Sequence, residues 1–157
     1  HRDPYCSSMK PQLDPPKAGK LHSPEWSLGF LLSQLAGTVR ERTATALAPL
    51  GIAPRDLGLL LGLSETPGVS QSELALRLRV DRTTMSQLVD TLTQAKLITR
   101  RVSPQDRRSH RLALTTAGSE LLQRAAHLAA DVENDITAGM TTQQVGELKR
   151  ALAELME

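Results

Sequence analysis

A length of 157 residues fits one domain with a core of its own, and 39% hydrophobic with 23% charged residues argues against both a disordered chain and a membrane bundle. Aromatic residues make up only 2%, with Tyr5, Trp26 and Phe30 as the whole set, so the core falls to Leu, Ala, Val and Ile on helical faces. The one cysteine, Cys6, forms no internal disulfide, and no Cys/His spacing suggests a metal. With a formal charge of only +2 and no apolar run approaching the ~20 residues of a membrane span, a soluble, cytoplasmic protein without a cofactor is expected.

Residues 1–24 hold five prolines and no apolar period, and they read as a flexible arm whose first eight residues suit a tag remnant. From Trp26 to about Ala48, Trp26, Phe30, Leu31, Leu35, Val39, Ala46 and Leu47 recur at helical spacing, and Pro49 to Pro54 ends the run. "PRDLGLLLGLSET" from Pro54 reads as a second helix that stops before Pro67-Gly68. Ser70 with Glu73 three residues on forms a capping box for a short third helix, with Leu74, Leu76 and Leu78 as its expected apolar side.

Asp81 is a natural N-cap for a fourth helix, whose Met85, Leu88, Val89 and Leu92 make one apolar stripe. "LITRRVS" and "HRLALT" then alternate apolar with polar residues around Pro104-Gln105-Asp106, the pattern of a hairpin. Thr115 or Thr116 opens a long helix to about Ile136. Gly139 interrupts, and Thr141 starts a last helix with Val145, Leu148, Leu152 and Leu155 along one face.

Charge is unevenly spread. Between Arg77 and Arg111 stand nine basic residues (Arg77, Arg79, Arg82, Lys96, Arg100, Arg101, Arg107, Arg108, Arg111) against Asp81, Asp90 and Asp106, which is +6 locally and leaves −4 for the rest. A charge run alone is usually a solvated face, but this one coincides with two short helices joined through Val80-Asp81. That is the helix-turn-helix layout, in which the second helix enters the major groove of duplex DNA. Arg82 then suits guanine, Gln87 adenine, and Thr83 or Thr84 a thymine methyl or a phosphate. The hairpin tip can reach a neighbouring minor groove, with Asp106 pairing an arginine and leaving another free to insert.

"DRTTMSQLVDTLTQAKLITRRVSPQDRRSHRLALTTAG" resembles the core of the multiple antibiotic resistance regulator (MarR) family, most specifically at Asp106-Arg107-Arg108, Leu112-x-Leu114-Thr115 and Gly118. The resemblance covers about Trp26 to Glu157. It implies a mainly α fold with a small β-hairpin wing: a winged helix-turn-helix at about 54–115, with dimerisation helices at 25–48 and 116–157 completing a single domain. It further implies a homodimeric transcriptional regulator, usually a repressor, on a pseudo-palindromic operator, released by a small molecule. Carried over by position, the DNA-binding residues are Ser70, Gln71 and Ser72 before the turn, Arg82, Thr83, Thr84, Ser86 and Gln87 on the recognition helix, and Arg101, Asp106, Arg107, Arg108 and Ser109 on the wing.

Members that sense hydroperoxides use a cysteine near the start of the first structured helix. Cys6 lies far upstream of Trp26, which argues against thiol sensing. Family pockets lie between the dimer helices and the winged lobe, so His22, Trp26, Phe30 and Arg40 are the candidates for a small aromatic or anionic ligand. Trp26 and Phe30, at i and i+4, equally suit a packed dimer core.

Two other functions compete. A winged-helix scaffold that binds small molecules or a protein would be expected to lose the basic tip that this chain keeps. An enzyme lacks support, because no phosphate loop, metal cluster or nucleophile-base pair is present, and adjacent Ser109 and His110 in a hairpin face opposite ways.

Overall fold

The structure is a computed structural model and describes residues 27–102 and 110–156. The chain divides into two compact units, His1–Gly37 and Thr38–Glu157, with the boundary inside the first helix.

Helix α1 spans Leu28–Leu47. In the first unit its apolar residues Leu28, Phe30, Leu31, Leu32 and Leu35 are all exposed. In the second unit α1 buries only Leu47 and runs into a 3-10 turn, Ala48–Leu50, closed by Gly51 at φ 70°. Glycine adopts that left-handed conformation without the steric penalty a β-carbon brings. Helix α2 spans Pro54–Glu65: Pro54 occupies the first helical position, where no N–H is needed, and the Asp56 carboxylate accepts the Ala53 N–H at 2.8 Å.

Helix α3 covers only Gln71–Arg77, α4 Arg82–Gln94, α5 Thr116–Ile136 and α6 Thr142–Glu154. Strands β1 (Ile98–Val102) and β2 (His110–Leu114) pair antiparallel, in register from Ile98 with Leu114 to Val102 with His110. The loop before α3 joins this sheet edge. Gly68 N–H donates to Leu112 O, Leu112 N–H donates to Val69 O, both at 3.0 Å, and Ser70 bridges Arg111. This third rung carries no alternation in the sequence, so a hairpin alone was expected.

The core lies under α2, which packs against α3, α4, α5 and β2. Leu59, Leu60 and Leu63 of α2, Leu74 of α3, Met85, Val89 and Leu92 of α4, Ile98 and Leu112 of the sheet, and Leu122 and Ala125 of α5 are buried together. Each large aliphatic side chain so buried stabilises the fold by about 1.5–3 kcal/mol before entropy is counted. Leu76 corrects the expected apolar side of α3, for it is 83% exposed. Two residues from Leu74, it stands some 200° round the helix, while Leu78 at i+4 returns to the buried side.

Gly118 fixes how α5 leaves the sheet. A β-carbon there would lie 2.0 Å from the carbonyl oxygen of Leu97. The close approach lets Leu97 O accept the Thr115 N–H at 3.0 Å while the Thr115 hydroxyl caps α5 through the Gly118 N–H at 2.9 Å.

Candidate nucleic-acid interface

The site begins with two helix starts. At α3 the Ser70 hydroxyl accepts the Glu73 N–H at 3.2 Å and Glu73 Oε2 accepts the Ser70 N–H at 2.9 Å, the expected reciprocal cap. Hydrogen bonding to the carboxylate from the Ser70 hydroxyl first and the Ser70 backbone N–H second, with a smaller contribution from the Arg111 charge, holds the Glu73 carboxyl below its ordinary pKa. Ser72 is exposed beside them, and half-buried Gln71 accepts a hydrogen bond from Arg100 Nη2 at 3.3 Å.

At α4, Asp81 Oδ1 accepts the Thr84 N–H at 2.9 Å and Oδ2 accepts the Thr84 hydroxyl proton at 2.6 Å. The Thr84 hydroxyl, and then its backbone N–H, lower the Asp81 pKa. Thr84, placed at the interface by sequence, therefore also completes the cap. With Met85, Val89 and Leu92 buried, helical spacing turns Arg82, Thr83 and Gln87 outward and exposed, while Ser86 is half-buried. No acid stands in the first turn of α4, so its positive helix end faces outward uncompensated apart from the Asp81 cap.

The wing strands place their arginines by alternation. Arg100 turns toward the helices and pairs with Asp90 of α4 at 2.9 Å, so one guanidinium ties β1 to α4 and, through Gln71, to α3. Arg101, its neighbour, is exposed and makes no ion pair among the described residues. Arg111 donates to Gly68 O at 3.0 Å and sits 4.0 Å from Glu73 Oε2. Arg100 and Arg111 were counted by sequence only as charge; their roles as braces depend on partners far away in the chain.

Asp106, Arg107, Arg108 and Ser109 lie outside the described residues, as do His22 and Trp26. Phe30 and Arg40 are exposed on α1. Among the described residues no group of three or more His, Cys, Asp or Glu could hold a metal ion.

A capped helix pair whose second helix opens on an outward, acid-free polar face, followed by a braced antiparallel hairpin with a third rung, is a winged helix-turn-helix. An HTH-type transcriptional repressor of Mycobacterium tuberculosis is 32% identical over 128 residues, covering 82% of this chain and 92% of the relative. A putative transcriptional regulatory protein for the hcr operon of Thauera aromatica is 33% identical over 130 residues, 82% of this chain and 78% of that one. The MarR family profile matches residues 50–109. The chain belongs to the MarR family.

Solved structures agree. The transcriptional repressor CouR, bound to a 23-mer DNA duplex, superposes with a TM-score of 0.81 at 32% identity, covering 92% of this chain and 100% of that one. A Mycobacterium tuberculosis MarR family protein in complex with salicylic acid gives 0.68 at 32% identity, with 82% and 96% covered.

Proposed function

We propose that the protein is a homodimeric, sequence-specific DNA-binding transcriptional regulator, a repressor released by a small ligand, which acts in the cytoplasm by binding and not by catalysis. The observation that carries this reading is the outward face of α4, where Arg82, Thr83 and Gln87 are presented by a helix whose other side is locked in the core. Gln71, Ser72 and Ser70 at the start of α3 suit the phosphate backbone, and Arg101 with the tip residues Asp106, Arg107, Arg108 and Ser109 suits the adjacent groove. The repressor name of the mycobacterial relative and the DNA duplex held by CouR support the assignment.

The dimer follows from what the fold leaves uncovered. Leu31, Leu32, Leu35 and Val39 recur at helical spacing on α1 and are exposed, as are Leu148 of α6 and Leu155 just past its end. A second copy covers such faces symmetrically and matches a pseudo-palindromic operator. A small aromatic or anionic effector is supported by the salicylic acid bound to the mycobacterial protein; Phe30 and Arg40, with His22 and Trp26, are its proposed contacts. No single helix among the described residues is long and apolar enough to cross a membrane.

The test is fluorescence anisotropy on the DNA upstream of the protein's own gene against scrambled DNA, at several salt concentrations. Saturation at one dimer per specific site is expected. The double variant Arg107→Ala, Arg108→Ala should weaken binding and flatten the salt dependence by about 0.9 in log-log slope per lost phosphate contact. An unchanged affinity and slope would remove the wing from the interface.

A further inference from the structure

Helix α3 ends at a residue where glycine is the usual choice. The Val80 N–H donates to Ala75 O at 2.9 Å and the Arg79 N–H to Leu76 O at 3.2 Å, closing a left-handed cap with Arg79 at φ 52°. A β-carbon is strained at that angle, so the turn itself gains nothing from an arginine. What the arginine adds is reach. Its Nη2 donates to the carbonyl oxygen of Met156 at 2.9 Å, across 77 positions of sequence, and so joins the end of α6 to the turn that leads into α4.

Two further observations give that bond weight. Leu155 and Met156 are 68% and 65% exposed, so apolar burial does not hold the end of α6 in place. Nearer its middle, α6 is tied to α5 by the ion pair of Lys149 with Glu133. The joint also lies against the start of the recognition helix. Arg79 shares one cleft of about 400 Å³ with Asp81 and Thr84, the residue pair that caps α4.

We propose that Arg79 is a positioning residue that transmits the position of α6 to the N-terminus of the recognition helix. The joint stands within one protomer. Its consequence, that the dimer sets the two recognition helices through it, rests on the dimeric DNA-binding reading given above. An exposed arginine at this turn has one competing role, a direct phosphate contact, and the two roles separate experimentally.

The variants are Arg79→Asn, which tolerates a left-handed backbone but is too short to reach Met156, and Arg79→Lys, which keeps charge and reach. Amide hydrogen exchange on the full chain without DNA comes first. In Arg79→Asn the amides of Leu155, Met156 and the first turn of α4 should exchange about twofold to tenfold faster, the factor one hydrogen bond supports, and Arg79→Lys should restore most of the protection. Salt-dependent anisotropy on the upstream DNA follows, where Arg79→Asn should lose operator affinity with an unchanged salt slope. Unchanged exchange in Arg79→Asn overturns the joint. Unchanged exchange with a slope reduced by about one identifies a phosphate contact instead. Faster exchange at Leu155 and Met156 but not in α4, or with operator affinity intact, overturns the transmission. Should the wild-type chain bind no DNA, the failure falls on the DNA-binding reading, and exchange in α4 alone decides the joint.

Discussion

Replacing Gly118 by alanine tests whether the wing is rooted as described. The added β-carbon would lie 2.0 Å from Leu97 O and 2.9 Å from Leu97 C, both backbone atoms that no rotamer change can move. Ordinary carbon-oxygen contacts begin near ~3.3 Å, so the start of α5 and the entry to β1 must separate by roughly 1.3 Å. That separation strains the Thr115 bonds, N–H to Leu97 O at 3.0 Å and hydroxyl to Lys96 O at 2.8 Å, each worth about 0.5–1.5 kcal/mol. Overpacking adds about 1–3 kcal/mol, and the better helix propensity of alanine returns about 1 kcal/mol. The net loss is about 1–5 kcal/mol, or roughly 2–20 °C in Tm for a chain of this size. Gly58→Ala on α2 is the control: a β-carbon there meets nothing within 4 Å, so the same exchange should stabilise by up to about 1 kcal/mol. Thermal unfolding at one fixed protein concentration reads both. If Gly118→Ala melts with or above the wild type, α5 does not pack on the Leu97 carbonyl as described.

Three further outcomes are expected. Asp81→Ala removes the cap of α4 and should lower Tm by roughly 1–8 °C, the range of an N-cap loss, while Thr84→Val, which keeps the backbone bond to Asp81, should lower it less. Asp81 and Glu73 both have pKa values lowered in the folded state, so they bind fewer protons folded than unfolded. Their contribution is full above the ordinary carboxylate range and lost as pH falls through the lowered values; a pH series of melts should show stability falling on acidification, and less steeply in Asp81→Asn. Arg82→Ala and Gln87→Ala should each relax preference at one operator position by about 1–3 kcal/mol, and the uncharged Gln87→Ala exchange should leave binding to scrambled DNA nearly unchanged, read by competition anisotropy with single-base operator variants.

Local chemistry was legible in the sequence and distant chemistry was not. Ser70 with Glu73, and Asp81 with Thr84, satisfy one another within three residues, so the starts of α3 and α4 could be placed from the chain alone. Met85, Val89 and Leu92 declare their face because a single helix imposes the period. Leu76 was misplaced because three leucines at alternate positions look like an apolar side, while a helix of seven residues gives only two of them a common direction. Arg100 and Arg111 were legible as charge but not as braces, since Gln71 and Gly68 are 29 and 43 positions away. The third rung of the wing, Gly68 to Ser70, escaped notice for the same reason: it is made by the partner strand and leaves no pattern of its own.

Those distant braces explain how a small lobe can aim a recognition surface. Counted as charge, the Arg77 to Arg111 segment presents nine cations, yet in the folded chain Arg77 is paired with Glu65, Arg79 reaches Met156, Arg100 is paired with Asp90 and Arg111 holds Gly68. Exposed pairs of this kind add little stability. Their effect is directional, because each fixes one element against another: α3 on α2, α6 on the turn, β1 on α4, β2 on the loop before α3. Among the described residues the cations left outward are Arg82 on α4, Lys96 just after it and Arg101 on β1, and they project from elements whose relative angle is set by other arginines. The basic excess thus divides into a bracing set and a reaching set, and only the second should lower the salt slope of DNA binding when removed.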